Sequence, residues 1–115
     1  MIKIEFLWFD DCPNHSDARR LLLDVMAARQ VQQEVDDVDA TGPDVAQRYK
    51  FPGSPTIRIN GADIEPGFSD PGDYTPRCRL YATTAGLKGI PERRWIEDAI
   101  DRAAKGDTSA GITKE

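Results

Sequence analysis

Cys12, in the run Phe9-Asp10-Asp11-Cys12-Pro13-Asn14-His15, is the residue of this chain whose type and setting most suggest chemistry. It follows an apolar stretch and precedes a helical repeat. Pro13 suits a first helical position, where its missing N–H would have had no partner, so Cys12 is expected at or near the helix N-cap. Free backbone N–H groups and the positive end of the helix dipole favour a thiolate there, and the thiolate is the reactive form of cysteine. His15, one turn on if it takes the third helical position, can add a positive charge or a proton donor. Asp10 and Asp11 are neighbouring anions and act in the opposite sense. The plainer readings are that Cys12 is a small capping residue and His15 an ordinary surface histidine.

Two further places carry candidate chemistry. Ser54-Pro55-Thr56 opens a strand, and Ser54 could pair through its backbone with a substrate added as a further strand. Its plain alternative is an ordinary trans proline at a strand entrance. Cys78 is the second of two cysteines. It serves either as a resolving thiol for Cys12, if their Cα atoms come within about 7 Å, or as a buried packing residue.

The elements that must position these groups are readable from periodicity. Ile2 to Phe9 alternates and then turns wholly apolar, the pattern of a central strand covered on both faces. Ala18, Leu21, Leu22, Val25 and Met26 recur at helical spacing, predicting a helix to about Arg29. Val31 to Asp39 is a second strand, and Pro43 to Tyr49 a short helix opened by Gly42-Pro43. Thr56 to Ile59 and Ala62 to Glu65 flank Asn60-Gly61, a strong hairpin signal. Pro66 to Arg77, with three prolines and two glycines, reads as a long loop or lid. Pro91 starts a last helix striped by Ile96, Ala99, Ile100 and Ala103. The order is β-α-β-α-β-β-α, one domain over residues 1–105 with a flexible tail over 106–115.

Composition bounds the function. A chain of 115 residues that is 39% apolar and 30% charged supports a single packed core rather than disorder. A net charge of −5 repels phosphate backbones and anionic membranes, so nucleic acid and membrane are not expected partners. No apolar run reaches the roughly 20 residues of a membrane span, and Glu5 stands where a signal peptide would be apolar, so a cytoplasmic location is expected. Two cysteines in a reducing compartment remain mostly thiols. The acids Asp36, Asp37 and Asp39 read as a solvated strand edge rather than a metal site, and no cofactor is expected.

Cys12-Pro13-Asn14-His15 after a hydrophobic strand, with Ser54-Pro55-Thr56 before a hairpin, resembles the thioredoxin superfamily. The fuller set F-D-D-C-P-N-H, G-S-P-T-I-R-I-N-G, C-R-L-Y and a late G-I-P is similar to small bacterial thioredoxin-like proteins, some with selenocysteine and some labelled alkylmercury lyase-like. The resemblance covers residues 2 to 104. It implies a three-layer α/β sandwich on a mixed four-stranded sheet, the first three strands parallel and the hairpin antiparallel at the edge. It also implies a cis bond before Pro55, with that proline facing the cysteine. The chain departs from ordinary thioredoxins at His15, which stands where a second cysteine would complete a vicinal dithiol.

Three functions follow as expectations. The first is a thiol oxidoreductase acting on a protein or small-molecule thiol or disulfide. Cys12 would be nucleophile, Cys78 resolver and His15 modulator, with Pro13, Asn14, Ser54, Pro55 and Thr56 forming the substrate edge. The second is a soft-metal binder using Cys12, Cys78 and His15 for mercury or copper(I). The third is a non-catalytic adaptor that binds a protein through the Pro66 to Arg77 loop and the Ser54-Pro55 edge.

Overall fold

Strand β1 (Ile4–Trp8) runs through the middle of the sheet, and a computed structural model describes the chain around it over residues 2–106. Helix α1 (His15–Ala28) leads to β2 (Val35–Asp39), and α2 (Pro43–Arg48) to the hairpin of β3 (Thr56–Ile59) and β4 (Ala62–Asp63). A second hairpin, β5 (Tyr81–Thr83) with β6 (Gly86–Lys88), precedes α3 (Arg93–Gly106). The four-stranded sheet has the order β2-β1-β3-β4, with β5 and β6 forming their own two-stranded sheet.

The alternation of β1 divides its side chains between two cores. Ile4 and Phe6 join Leu22, Val25, Ile57, Ile96 and Ile100 under α1 and α3, while Leu7 joins Ala40, Ala46 and Phe51 under α2. The result is three layers, with a helix pair on one face of the mixed sheet and a short helix on the other. Each fully buried Leu, Ile or Phe in these cores contributes about 1.5–3 kcal/mol relative to exposure. The acidic edge strand β2 is tied down from the helix side: Trp8 Nε1 donates to Asp37 at 2.6 Å and Arg19 reaches the same carboxylate at 3.0 Å. Charge along this open edge also discourages pairing with another chain.

Several expectations are corrected here. β1 and β2 are parallel, but β3 runs antiparallel to β1, with Leu7 opposite Thr56 and Ile4 opposite Ile59. A parallel β3 would need the chain to return along the whole sheet. The six-residue α2 rises only about 9 Å, so the chain re-enters where β1 ends. This reversal sets Ser54 and Pro55 beside the C-terminal end of β1, where Cys12 also lies. β4 stops at Asp63, two residues short of the predicted strand, because Glu65 N–H turns back onto Asp63 Oδ1 at 2.9 Å. The β5–β6 hairpin, between the Pro66 to Arg77 loop and the last helix, is absent from the predicted element order. α3 takes in Gly106, and the remainder of the expected tail lies outside the described residues. Among the described residues, no helix is long and apolar enough to cross a membrane.

Candidate functional site

The first turn of α1 begins later than its proline suggests. Cys12 N–H donates to Phe9 O at 3.1 Å, closing a turn over the two aspartates, and the first helical bond is Ala18 N–H to Asn14 O at 3.1 Å. Asn14 is therefore the N-cap and His15 the first helical residue, so Cys12 stands two residues ahead of the cap rather than on it. Its sulfur still meets the helix start, because Asn14 N–H donates to Cys12 Sγ at 3.4 Å.

The thiol of Cys12 donates to Ser54 O at 3.6 Å. Ser54 is in turn held by residues far along the chain. Its N–H donates to Arg77 O at 2.8 Å, and its carbonyl accepts Arg79 N–H at 2.9 Å. Cys78, between those two arginines, forms an isolated parallel bridge with Ser54. The Arg77–Arg79 segment is thus a strap laid along Ser54, and the Ser54 carbonyl is common ground for both cysteine neighbourhoods. Both cysteines are free thiols; Cys12 is 3% exposed, whereas Cys78 is open to solvent. Desolvation, followed by the charge and hydrogen bonding of the adjacent Cys12 and the charge of Asp11, holds the Cys78 thiol above the ordinary cysteine pKa.

The strap is anchored by a buried cation. Arg79 Nη1 and Nη2 meet the two oxygens of Asp63 at 2.7 and 2.8 Å, Nη2 meets Glu65 at 3.0 Å, and Nη1 donates to Thr56 Oγ1 at 2.8 Å. The Arg79 and Asp63 side chains are 6% and 3% exposed. The guanidinium also lies over the ring of Tyr81, 4.3 Å from its centroid. Burial alone would lower the Arg79 pKa, but the bond to Asp63 and the surrounding charges hold it above its ordinary value. Tyr81, whose own pKa is raised by burial, donates to Pro55 O at 2.5 Å, so the next inward-facing residue clamps the same strand entrance. Gly53 completes the seat. A Cβ there would come within 2.8 Å of Arg79 Cβ and 3.3 Å of Cys78 O, at a φ of +133° that L side chains rarely adopt.

Several assigned roles change. Cys12, read as a reactive thiol at a helix start, is buried, and Cys78, one of whose two readings was a buried packing residue, is exposed. Ser54, Pro55 and Thr56 are all buried, and both main-chain hydrogen-bonding groups of Ser54 are taken by the strap, so no open strand edge faces a substrate. The Thr56 hydroxyl is likewise engaged, donating to Gly53 O at 2.6 Å and accepting from Arg79. The Ser54 hydroxyl is buried without a hydrogen-bond partner. The Ser54–Pro55 bond is cis. Pro13 is exposed, and Asn14 packs so closely on Gly89 that a Cβ there would meet its amide at 2.1 Å. His15 stacks on Trp8, ring centroids 4.8 Å apart, and its polar neighbour is Arg19 at 3.5 Å, not a cysteine.

Arg79, Asp63, Glu65 and Tyr81 were not among the residues singled out from the sequence. For Arg79 and Tyr81 there is an underlying pattern: along 78–82 the structure alternates, with Arg79 and Tyr81 inward and Cys78, Leu80 and Ala82 outward. It is the period of an extended segment, obscured because an arginine occupies an inward position. No family model, curated protein or solved structure matches this chain.

Proposed function

We propose that this protein is a thioredoxin-like thiol–disulfide oxidoreductase whose redox couple is Cys12 and Cys78, cycling between two thiols and one internal disulfide. The observation that supports this reading is the joint hold on Ser54: its carbonyl accepts the Cys12 thiol, and its backbone carries the strap that bears Cys78. The missing vicinal cysteine at His15 is then supplied from 66 residues away by topology, the span from Cys12 to Cys78. A strand–helix–strand unit, an antiparallel hairpin and a helix pair on one face also fit the thioredoxin arrangement once β3 is antiparallel.

In the reducing direction, a disulfide substrate takes two electrons and leaves as two thiols while the two cysteine sulfurs bond to each other. A low-molecular-weight dithiol then restores both cysteines and is itself oxidised to a disulfide. Asn14 N–H, aimed at Cys12 Sγ, supports negative charge on that sulfur whenever the bond to Cys78 breaks. The soft-metal alternative keeps two sulfur ligands and loses His15. The adaptor alternative loses the Ser54 edge, which the strap fills.

The test is turnover of a small symmetric disulfide, bis(2-hydroxyethyl) disulfide, with a dithiol as reductant. Wild-type protein accelerates the reaction, and Cys12→Ser and Cys78→Ser each reduce the acceleration at least about tenfold, since exchange through an internal disulfide needs both sulfurs. Full activity in either variant contradicts the proposal.

A further inference from the structure

Resting on the Cys12/Cys78 cycle, the unequal exposure of the two sulfurs assigns an order to it. We infer that Cys78 is the sulfur that joins the external reactant and Cys12 the internal sulfur that completes exchange, with the substrate a disulfide small enough to react without adding a strand.

Four observations carry this assignment. Cys12 is 3% exposed and held between Asn14 N–H and Ser54 O, the carbonyl that Arg79 N–H also bonds, so it offers an external disulfide almost no surface. Cys78 sits on the solvent side of the strap and needs no opening. The main-chain groups of Ser54, which an incoming polypeptide would have to pair with, are already bonded to Arg77 and Arg79. The strap does not yield readily, being held by a buried arginine on two carboxylates and seated against Gly53.

The Cys78 thiolate, its proton lost to water, attacks one sulfur of RSSR; the S–S bond of the substrate breaks and RS⁻ leaves. The Cys12 thiolate, its proton also lost to water, then attacks Cys78 Sγ of the mixed disulfide, and a second RS⁻ leaves as the Cys12–Cys78 bond forms. The substrate gains two electrons, the chain loses two, and two protons end on the released thiols. In the return step an external thiolate attacks the exposed sulfur, Cys78, and Cys12 departs onto the N–H of Asn14.

The experiment uses 5,5′-dithiobis(2-nitrobenzoate) on reduced, folded protein, with released chromophore measured and the products mapped by mass spectrometry after acid quench. In wild type, two equivalents of chromophore are expected per chain, ending in an internal disulfide, with the early adduct on Cys78. Cys12→Ser should release one equivalent and keep a stable adduct on Cys78. Cys78→Ser should react at least about tenfold more slowly than wild type, its rate set by local opening. Wild type that keeps its adducts and forms no internal disulfide overturns the cycle itself. An internal disulfide reached through an early adduct on Cys12 overturns the assigned order alone. Because the early adduct is read in wild type, the order is decided even where a variant fails to fold.

Discussion

At the scale of single residues the site combines a well-satisfied carbonyl with an unsatisfied hydroxyl on the same amino acid. Ser54 O accepts from both Arg79 N–H and the Cys12 thiol, while Ser54 Oγ is buried with no partner. A buried polar group left unpaired costs about 1–3 kcal/mol. Ser54→Ala keeps every backbone bond and removes that group, so it is expected to raise stability by about 1 kcal/mol in urea denaturation; a loss of stability would show that the hydroxyl is bound. Cys78 offers a second test. Desolvation holds its pKa up, and the adjacent Cys12 adds to this, so the rate of its alkylation should still be climbing above pH 9.0, the ordinary value. Replacing Cys12 by Ser removes the added share, and the midpoint of the alkylation profile should move down; an unmoved midpoint contradicts the pairing of the two thiols. The sign for stability follows. Folded Cys78 keeps its proton to higher pH than unfolded Cys78, so its contribution turns unfavourable as pH rises through that range.

At the scale of elements, the strap shares the Ser54 carbonyl with the Cys12 thiol, and in the proposed cycle its hold limits access to that sulfur. Its anchor is a buried ion pair, and removal of one partner from such a pair costs about 3–5 kcal/mol because the remaining charge stays buried. Arg79→Met, which strands Asp63 and Glu65, should therefore lower unfolding free energy by about that amount and speed maleimide labelling of Cys12 in the still-folded protein. Unchanged stability together with unchanged labelling would mean that the strap is held by something else. The elements that carry apolar periodicity were legible in the sequence: β1, α1, the hairpin at Asn60-Gly61 and the stripe of α3. The strap was not, because its hold depends on Arg79 meeting Asp63 and Glu65 from 16 and 14 residues away, a pairing that no local period encodes. The start of α1 was misplaced for a related reason: Pro13 is a good first helical residue, but the bond from Cys12 N–H to Phe9 O closes a turn first.

At the scale of the whole molecule, one strand direction brings the neighbourhoods of both cysteines to Ser54. With β3 antiparallel to β1, the chain enters β3 at the C-terminal end of β1, and β4 carries it back to the same end. The loop after β4 then delivers the strap to Ser54. Candidate residues could be picked from the sequence by type, but which of them meet is a property of this topology: Cys12 and Cys78 both come to Ser54, and His15 is turned to Trp8 and Arg19. The proposed cycle requires the two sulfurs to form one bond. Equilibrating folded protein in glutathione buffers of graded redox poise, then quenching with acid and weighing the intact chain, tests this directly. A single transition to a species two hydrogens lighter, linked Cys12 to Cys78, is the predicted result. A chain that keeps both thiols under oxidising conditions, or that accumulates glutathione adducts in place of the internal bond, would contradict it.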